Sequence, residues 1–273
     1  MRNNFSVLMS VYYREKPEFL RESISSILNQ SITPREIIIV KDGKLTIELD
    51  LVIQEFCSLV KNVFVVLELT ENKGLGEALR IGLEKCSFEI VARMDSDDIC
   101  HPLRFEKQLR YLENNPDVSV VGSNIAEFYD TVNNVKFIRR VPSDYSDIKK
   151  MMKKRNPINH VTVMFKKEDV LAAGSYKGLH YLEDYYLWVR MIDKSFIINN
   201  IDTVLVHVRT GNAMLKKRSD PRRIISWHTL QRQMLKYKQI NTLELVINMI
   251  NIIGFTYMPI KIKEYVYKNF LRR

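Results

Sequence analysis

The sequence has 273 residues, of which 46% are hydrophobic, and this suits one large α/β domain or a domain with an appendage. No apolar run reaches the ~18 residues of a membrane-spanning helix, no leader-like segment opens the chain, and the three cysteines lack metal-ligand spacing. We therefore expect no spanning segment, no signal peptide, no disulfide framework and no zinc site, while the net charge of +10 favours an anionic partner.

The first hundred residues alternate between strand and helix patterns. Pro17 stands where the first turn of a helix accepts proline, and the wholly apolar core of Glu36–Val40 is typical of a parallel strand covered on both faces. This alternation predicts βαβ units and a parallel sheet. The predicted strands and helices, in chain order, are Phe5–Val11, Pro17–Leu28, Glu36–Val40, Leu45–Val60, Val63–Leu67, Gly74–Cys86 and Glu89–Met94.

The second part of the chain continues with mixed elements and no obvious linker before about Gly211. A helix is predicted from Pro102 to about Asn114, and a basic helix over roughly Asp144–Lys154. A further helix, Leu182–Ile192, opens with Glu183 and Asp184. The predicted strands of this part are Val118–Val121, Val135–Arg140, Val161–Lys166 and Thr203–Val208.

The C-terminal part is basic and apolar in alternation. Residues from Met214 to Arg273 contain 13 Lys and Arg against 3 Asp and Glu, so residues 1–213 are neutral on balance. The stretch Leu243–Pro259 is rich in large apolar residues, a pattern that suits a helix lying in an anionic membrane interface. The competing interpretation is a helical subdomain packed on the rest of the chain, with a solvated basic face. We expect no nucleic-acid partner, because no recognised binding module is present.

Polar clusters follow four of the predicted strands. Ligands of parallel α/β sheets collect at the carboxyl ends of the strands, so we expect these clusters to meet at one edge. They are Tyr12-Tyr13, Asp42-Gly43, Asn72-Lys73-Gly74 and Asp95-Ser96-Asp97-Asp98.

The last of these clusters carries three carboxylates within four residues. Such carboxylates repel one another, and Mg²⁺ or Mn²⁺ carrying a diphosphate is the natural partner because these ions prefer oxygen ligands. A solvated acidic turn, or a cap for the helix that starts at Pro102, explains the run equally well when it is taken alone.

Taken together, these segments resemble the inverting family 2 glycosyltransferases with the GT-A fold. The resemblance extends in order over about residues 5–210, and the tail looks like that of bacterial enzymes that build O-antigen or capsule repeat units. The matching stretches are Ser6–Tyr12, Ser26–Ser31, Glu36–Gly43, Asn72–Leu75, Ala92–Ile99, Asn156–Phe165 and Leu182–Trp188.

The resemblance implies an α/β fold with a Rossmann-like, mostly parallel sheet flanked by helices, and a basic amphipathic helical extension. Residues 1–213 would form the catalytic domain, with a nucleotide-sugar half over about 1–100 and an acceptor half over about 101–213. The extension would cover 214–273 and associate with a membrane.

The resemblance also implies residue roles on the donor side. Tyr12, Asp42 and Asp95 would bind the nucleotide, and Arg80 would contact the diphosphate. Asp97 and Asp98 would hold Mn²⁺ or Mg²⁺. The structural alternatives are a core aromatic for Tyr12, an ordinary Asp-Gly turn for Asp42 and a solvated surface cation for Arg80.

On the acceptor side, Asp184 would be the base that deprotonates the acceptor hydroxyl, and Glu183 would orient the acceptor. The alternative is that both acids only complement the N-terminus of their helix. Three weaker candidates are His207 as a metal ligand, cations between Arg209 and Arg218 as phosphate contacts, and His160 as an acceptor contact. Trp188 is expected to pack in the core. The family commonly has an acidic residue where this chain has Lys41.

The implied reaction transfers a hexose, galactose first and glucose second, from a UDP-sugar to GlcNAc-diphospho-undecaprenol with a β linkage, in O-antigen or surface polysaccharide synthesis. Another UDP-sugar and acceptor, in capsule or lipooligosaccharide synthesis, or an inactive scaffold protein, are the alternatives. A lipid-diphosphate acceptor implies a peripheral enzyme at the cytoplasmic face of a bacterial inner membrane. A nucleotidyltransferase or a dinucleotide-binding oxidoreductase is disfavoured, since neither glycine-rich loop is present.

Overall fold

A computed structural model describes residues 4–210, 220–259 and 262–263. The strands are β1 (Phe5–Val11), β2 (Glu36–Lys41), β3 (Phe64–Glu68), β4 (Ile90–Asp95), β5 (Ile99–Cys100), β6 (Val118–Phe128), β7 (Val135–Arg139), β8 (Met164–Lys166) and β9 (Ile197–Arg209). The helices are α1 (Pro17–Leu28), α2 (Ile47–Leu59), α3 (Leu75–Lys85), α4 (Arg104–Asn114), α5 (Tyr145–Met152), α6 (Lys167–Ala172), α7 (Glu183–Asp193), α8 (Arg222–Lys236) and α9 (Thr242–Tyr257). A 3₁₀ turn covers His160–Thr162.

One sheet runs through the molecule in the order β3-β2-β1-β4-β8-β6-β9-β5, with β7 paired to β6. The strands from β3 to β4 are parallel, as the βαβ pattern predicts. Beyond β4 the sheet is mixed, because β8 runs antiparallel to both β4 and β6 while β9 is parallel to β6. The carboxyl ends of β1, β2 and β4 therefore lie side by side.

Both faces of the sheet are covered, which explains the uninterrupted apolar strands. Along β1, Leu8 packs with α3 on one face, whereas Val7 and Met9 pack with α1 and α2 on the other. Gly82 permits the close approach of α3, because a Cβ there would lie 2.5 Å from the Leu8 side chain. These contacts hold β1 between the helices on its two faces and support the loops at the carboxyl ends of the strands.

Two strands are longer than the apolar pattern predicts. β6 extends to Phe128 and β9 starts at Ile197, in both cases through buried polar residues that interrupt the apolar run. Two of these residues donate to specific partners: Asn124 Nδ2 donates to Asp202, and Asn200 Nδ2 donates to the Pro142 carbonyl. Periodicity alone does not reveal such pairs.

The predicted strand Val161–Lys166 is wrong in its first half. Thr162 lies in the 3₁₀ turn, where its Oγ1 donates to the Asn159 carbonyl and accepts from the Ser123 N–H. A threonine that bonds to nearby backbone in this way competes with strand pairing. Only Met164–Lys166 joins the sheet, and the short elements β5 and α6 were not predicted.

The described part of the C-terminal extension is helical, as predicted. Trp227, Leu230 and Met234 of α8 and Ile252 of α9 are buried in the same core as α7. A reciprocal cap of Asn241 and Glu244 starts α9. The remaining extension residues, 214–219, 260–261 and 264–273, lie outside the described part of the chain. Among the residues that the structure describes, no helix combines the length and the apolar run needed to span a membrane.

Candidate active site

The polar clusters at the ends of β1, β2 and β4 meet at one edge of the sheet, as the parallel order requires. Ser10, near the end of β1, is opposite Asp95 of β4, and Val11 is opposite Lys41 of β2. The Ser23 hydroxyl of α1 donates to the Asp95 carbonyl at 2.8 Å. The edge therefore gathers Tyr12, Asp42 and the acidic run into one polar region.

The acidic run forms a compact cluster of oxygen ligands. One ligand oxygen from each of Asp95, Asp97 and Asp98 lies within 4.8 Å of the others. Burial raises the pKa of Asp97 to about 7, and the charges of Asp95 and Glu15 add to this effect. Burial and then Asp97 raise the pKa of Asp98, which is only 2% exposed. Ionising all three carboxylates together is costly without a cation, so this donor set fits Mg²⁺ or Mn²⁺.

Arg209, at the end of β9, binds the loop that carries the acidic run. Its backbone N–H donates to Asp98 Oδ1 at 2.8 Å, and its guanidinium donates to the Asp97 carbonyl. The same guanidinium pairs with Glu22 and lies 3.9 Å from the centre of the Phe19 ring. Of the cations predicted between Arg209 and Arg218, the structure describes Arg209 alone. It holds the loop rather than standing free in solvent.

Arg93 was missed by the sequence analysis. It lies two residues before Asp95 on β4, is 2% exposed and pairs with the Asp95 carboxylate through both terminal nitrogens, with Nη1 to Oδ2 at 2.8 Å. Its charge lowers the pKa of Asp184, although the burial of that carboxyl raises it more. An arginine inside an apolar strand was the signal available, since buried arginines are rare unless paired.

Tyr12 and Asp42 follow β1 and β2 and lie at this edge of the sheet, and their nucleotide-binding roles stay predictions. Tyr12 is 39% exposed, which disfavours the core-aromatic alternative. The Asp42 carboxylate accepts hydrogen bonds from the backbone N–H groups of Lys73 and Gly74, at 2.7 and 3.0 Å. Asp42 thus fastens the end of β2 to the loop that starts α3, and its two oxygens retain capacity for a further donor.

We expect Asp42→Ala to destabilise the fold by about 2–3 kcal/mol, because the backbone N–H groups of Lys73 and Gly74 lose a charged acceptor. Urea unfolding monitored by circular dichroism measures the effect. Glu71→Ala, which removes an exposed carboxylate two residues before Lys73, is the matched control for loss of an acid near this edge. A loss for Asp42→Ala no larger than that of the control contradicts the fastening role.

Two cations of this half are already paired. Arg80 lies on α3 and pairs with Glu77 and Glu84, each at 2.6 Å. A phosphate contact would have to compete with these carboxylates, so the predicted diphosphate role of Arg80 stays a prediction. The Lys41 ammonium lies 2.8 Å from both Asp50 and Glu68, which explains the departure from the family pattern as a link between β2, α2 and β3.

Glu183 and Asp184 begin α7. Asn156 Nδ2 donates to Asp184 Oδ2 at 2.6 Å, and the Asn156 Oδ1 accepts from the Ile158 N–H. Burial raises the pKa of Asp184, and the hydrogen bonds from the Tyr185 N–H and Asn156 oppose that rise. A buried carboxylate with a raised pKa and one held oxygen is suited to accept a proton.

The Glu183 side chain lies against α3. A Cβ added at Gly76 of α3 would lie 2.9 Å from Glu183 Cγ, so α3 and α7 meet at this pair. Burial raises the pKa of Glu183, with Asp184 adding to the effect. Both acids lie in the first turn of α7, so their position also satisfies the helix-terminus alternative.

The remaining aromatic candidates form a packed group beneath Asp184. His160 Nε2 lies 2.9 Å from the Tyr176 hydroxyl, and the His160 ring meets Trp188 edge to face. Burial lowers the pKa of His160, so its imidazole stays neutral at ordinary pH. Trp188 is fully buried, which confirms its predicted packing role. His207 lies opposite Ile99 and falls outside the acidic group within the described residues.

Comparison with known proteins gives this geometry a context. The family model described as "Glycosyl transferase family 2" matches residues 6–172. The chain is 38% identical over 264 residues to "Amylovoran biosynthesis glycosyltransferase AmsE" of Erwinia amylovora, covering 97% of this chain and 98% of that one. It is 36% identical over 269 residues to an Escherichia coli "UDP-Gal:alpha-D-GlcNAc-diphosphoundecaprenol beta-1,3-galactosyltransferase", covering 98% and 97%.

A solved structure supports the fold. The crystal structure of Staphylococcus aureus TarS 1–349 in complex with UDP-GlcNAc matches with a TM-score of 0.68 over 97% of this chain and 75% of that chain, at 14% identity. This likeness confirms the predicted GT-A type of α/β fold, in which a curled central sheet is flanked by helices.

Proposed function

The chain belongs to glycosyl transferase family 2, and on that premise we propose that it transfers galactose from UDP-galactose to GlcNAc-diphospho-undecaprenol, forming a β linkage. The observation that carries the proposal is the compact group of Asp95, Asp97 and Asp98 at the end of β4, together with a separate carboxylate, Asp184, that Asn156 holds. The relative that is 36% identical over almost the whole chain supports the choice of donor and acceptor by its name.

The donor half would hold the nucleotide and its diphosphate. Tyr12 would pack against the base, Asp42 would accept from it, and Asp95, fixed by Arg93, would lie by the nucleoside. Asp97 and Asp98 would hold Mn²⁺ or Mg²⁺, which neutralises the charge that develops on a leaving diphosphate. Arg209 holds the Asp98 carboxylate through its backbone N–H and the Asp97 backbone carbonyl through its guanidinium.

The acceptor half would activate the attacking hydroxyl. Asp184 takes the proton from that hydroxyl. At the same time the hydroxyl oxygen bonds to the anomeric carbon, and the bond from this carbon to the diphosphate breaks. Glu183 orients the acceptor. Because one displacement occurs in line, the α-linked donor gives a β-linked product, as for single-displacement glycosidases. The raised pKa of this carboxyl group supports the role.

The test is a transfer assay with purified protein, Mn²⁺ and a GlcNAc-diphosphate-lipid analogue. UDP-galactose, UDP-glucose and UDP-GlcNAc are offered in parallel, each radiolabelled in the sugar. We expect label to move from UDP-galactose and to stop on chelation. Transfer from another donor only overturns the galactose assignment. No transfer from any donor, with UDP binding retained, favours an inactive scaffold.

We expect Asn156→Ala to shift the acidic limb of the kcat profile to higher pH. Asn156 donates to the ionised form of Asp184 and so lowers its pKa; without that donor the pKa rises further above the ordinary range. Since the base must be ionised, activity at low pH is lost first and is recovered as pH rises through the new pKa. Rate measurements across pH, with Asn159→Ala as the control in the same segment, test this. An unshifted limb would exclude the proposed influence of Asn156.

A further inference from the structure

The outer face of α9 carries an uncovered apolar stripe. Its large apolar side chains are exposed and follow positions i, i+3, i+4, i+7, i+10 and i+14, which lie on one side of a helix. The opposite side, with Asn248, Ile252 and Thr256, is buried against the body. The exposed residues of the stripe are Leu243, Val246, Ile247, Ile250, Ile253 and Tyr257. Exposed apolar patches of this kind mark surfaces that meet a partner.

A lysine-walled cavity lies between α5, the end of α7 and the end of α8. Its volume is about 460 Å³, and its walls carry Lys149, Lys150, Lys153 and Lys238 above a floor that includes Met152 and Met234. Asp147 pairs with Lys150, and Lys149 lies over the Tyr145 ring at 4.6 Å. Cations around an apolar floor suit a phosphate with an apolar tail.

The cavity and the stripe are joined through Lys153. Its ammonium lies 2.9 Å from Glu244 of α9, and its carbonyl accepts from Asn248 Nδ2 at 2.7 Å. Three residues later, Asn156 donates to Asp184. The stripe, the lysines and the carboxylate proposed as the base are therefore connected through the segment from Lys153 to Asn156.

We propose that the outer stripe of α9 and the lysine-walled cavity form one docking face for an anionic lipid bilayer. The apolar side chains of α9 enter the interfacial layer, and the lysines bind lipid phosphates beside it. The charge of the lysine walls favours a bilayer over a second copy of this chain, because two such faces would repel each other. The choice of a lipid partner rests in part on the proposed lipid-linked acceptor, which this face would present near Asp184.

Vesicle binding of the full chain tests the proposal without any sugar substrate. Vesicles of phosphatidylcholine with phosphatidylglycerol are compared with pure phosphatidylcholine in a sedimentation assay. We expect binding to the anionic vesicles. The double variant Ile247→Asn/Ile250→Asn should weaken binding at least about ten-fold, since each exposed side chain loses its transfer to the interface. Lys149→Gln/Lys238→Gln should weaken it about 25-fold, at roughly five-fold for each of the two lysines.

Matched controls separate this face from general surface properties. Leu59→Asn, an exposed apolar residue on α2, and Lys61→Gln/Lys85→Gln, exposed lysines elsewhere, should leave vesicle binding unchanged. Transfer to a water-soluble acceptor should be unaffected in every variant, so loss of transfer and loss of docking are read separately.

Three results would overturn the proposal. Equal binding to both vesicle types removes the role of the lysines. Unchanged binding by the α9 variant removes the role of the stripe. A dimer in light scattering that Ile247→Asn/Ile250→Asn dissociates assigns the stripe to a second copy instead.

Discussion

Asp184→Asn is expected to turn over between about a hundred and ten thousand times more slowly than the wild-type protein, the range that general-base catalysis contributes. Asparagine has the shape of aspartate and can still bond to Asn156, but it cannot take the proton from an acceptor hydroxyl. Single-turnover transfer with a saturating UDP-sugar measures the chemical step directly.

The same variant should bind UDP and Mn²⁺ as tightly as the wild type, because Asp184 is absent from the acidic group. Asp193→Asn, which removes an exposed acid at the other end of α7, is the control for the loss of one charge from that helix. If Asp184→Asn transfers sugar at the wild-type rate, the base lies elsewhere, and Glu183 becomes the first candidate.

Asp97→Asn is expected to abolish metal binding and to lower transfer by at least about a hundred-fold, since charge on the leaving diphosphate is no longer neutralised. Isothermal titration with Mn²⁺ and the transfer assay measure the two losses. Asp117→Asn, an exposed acid outside the site, should change neither.

Although Asp97→Asn should lose metal binding and transfer, it should be more stable to unfolding than the wild type when metal is chelated. The pKa of Asp97 in the fold is about 7, above its ordinary value of 3.8, so its contribution to stability is present below pH 3.8 and is lost as pH rises through 7. In EDTA at pH 8, Asp97→Asn should therefore melt at a higher temperature than the wild type, and the difference should shrink at pH 5. A variant that is less stable at pH 8 contradicts the repulsion within the cluster.

Much of the nucleotide-sugar half follows from local patterns. The strands β1, β2 and β4 are short apolar runs bounded by polar residues, and their helices have regular apolar spacing, so periodicity finds them. The acidic cluster can also be predicted from the sequence, because its three carboxylates lie within four consecutive residues at the end of one strand.

The contacts that tune the site depend on chain segments far apart in sequence. Asn156 and Asp184 are 28 residues apart, and the N–H that Arg209 donates to Asp98 crosses 111 residues. Lys41 reads as an isolated departure from a motif until the fold brings Asp50 and Glu68 to it. No periodicity encodes such pairings, since they depend on how the strands are ordered.

The outward stripe of α9 also required the structure. The helix is apolar on most of its surface, with Leu245 and Ile252 turned to the body and Ile250 turned out, so the sequence does not say which face is covered. The packing against α8 and α5 decides it, because Asn248 is held there by the Lys153 carbonyl and by Gln231.

In the proposed mechanism, one displacement assisted by Asp184 transfers the sugar with inversion. Nuclear magnetic resonance of the product made from an α-linked UDP-sugar donor tests it most directly, because the coupling between the first two protons of the transferred sugar reports the anomeric configuration. Because a single displacement inverts the anomeric carbon, we expect a β-linked product from the first turnover. An α-linked product would contradict the single displacement and the role assigned to Asp184.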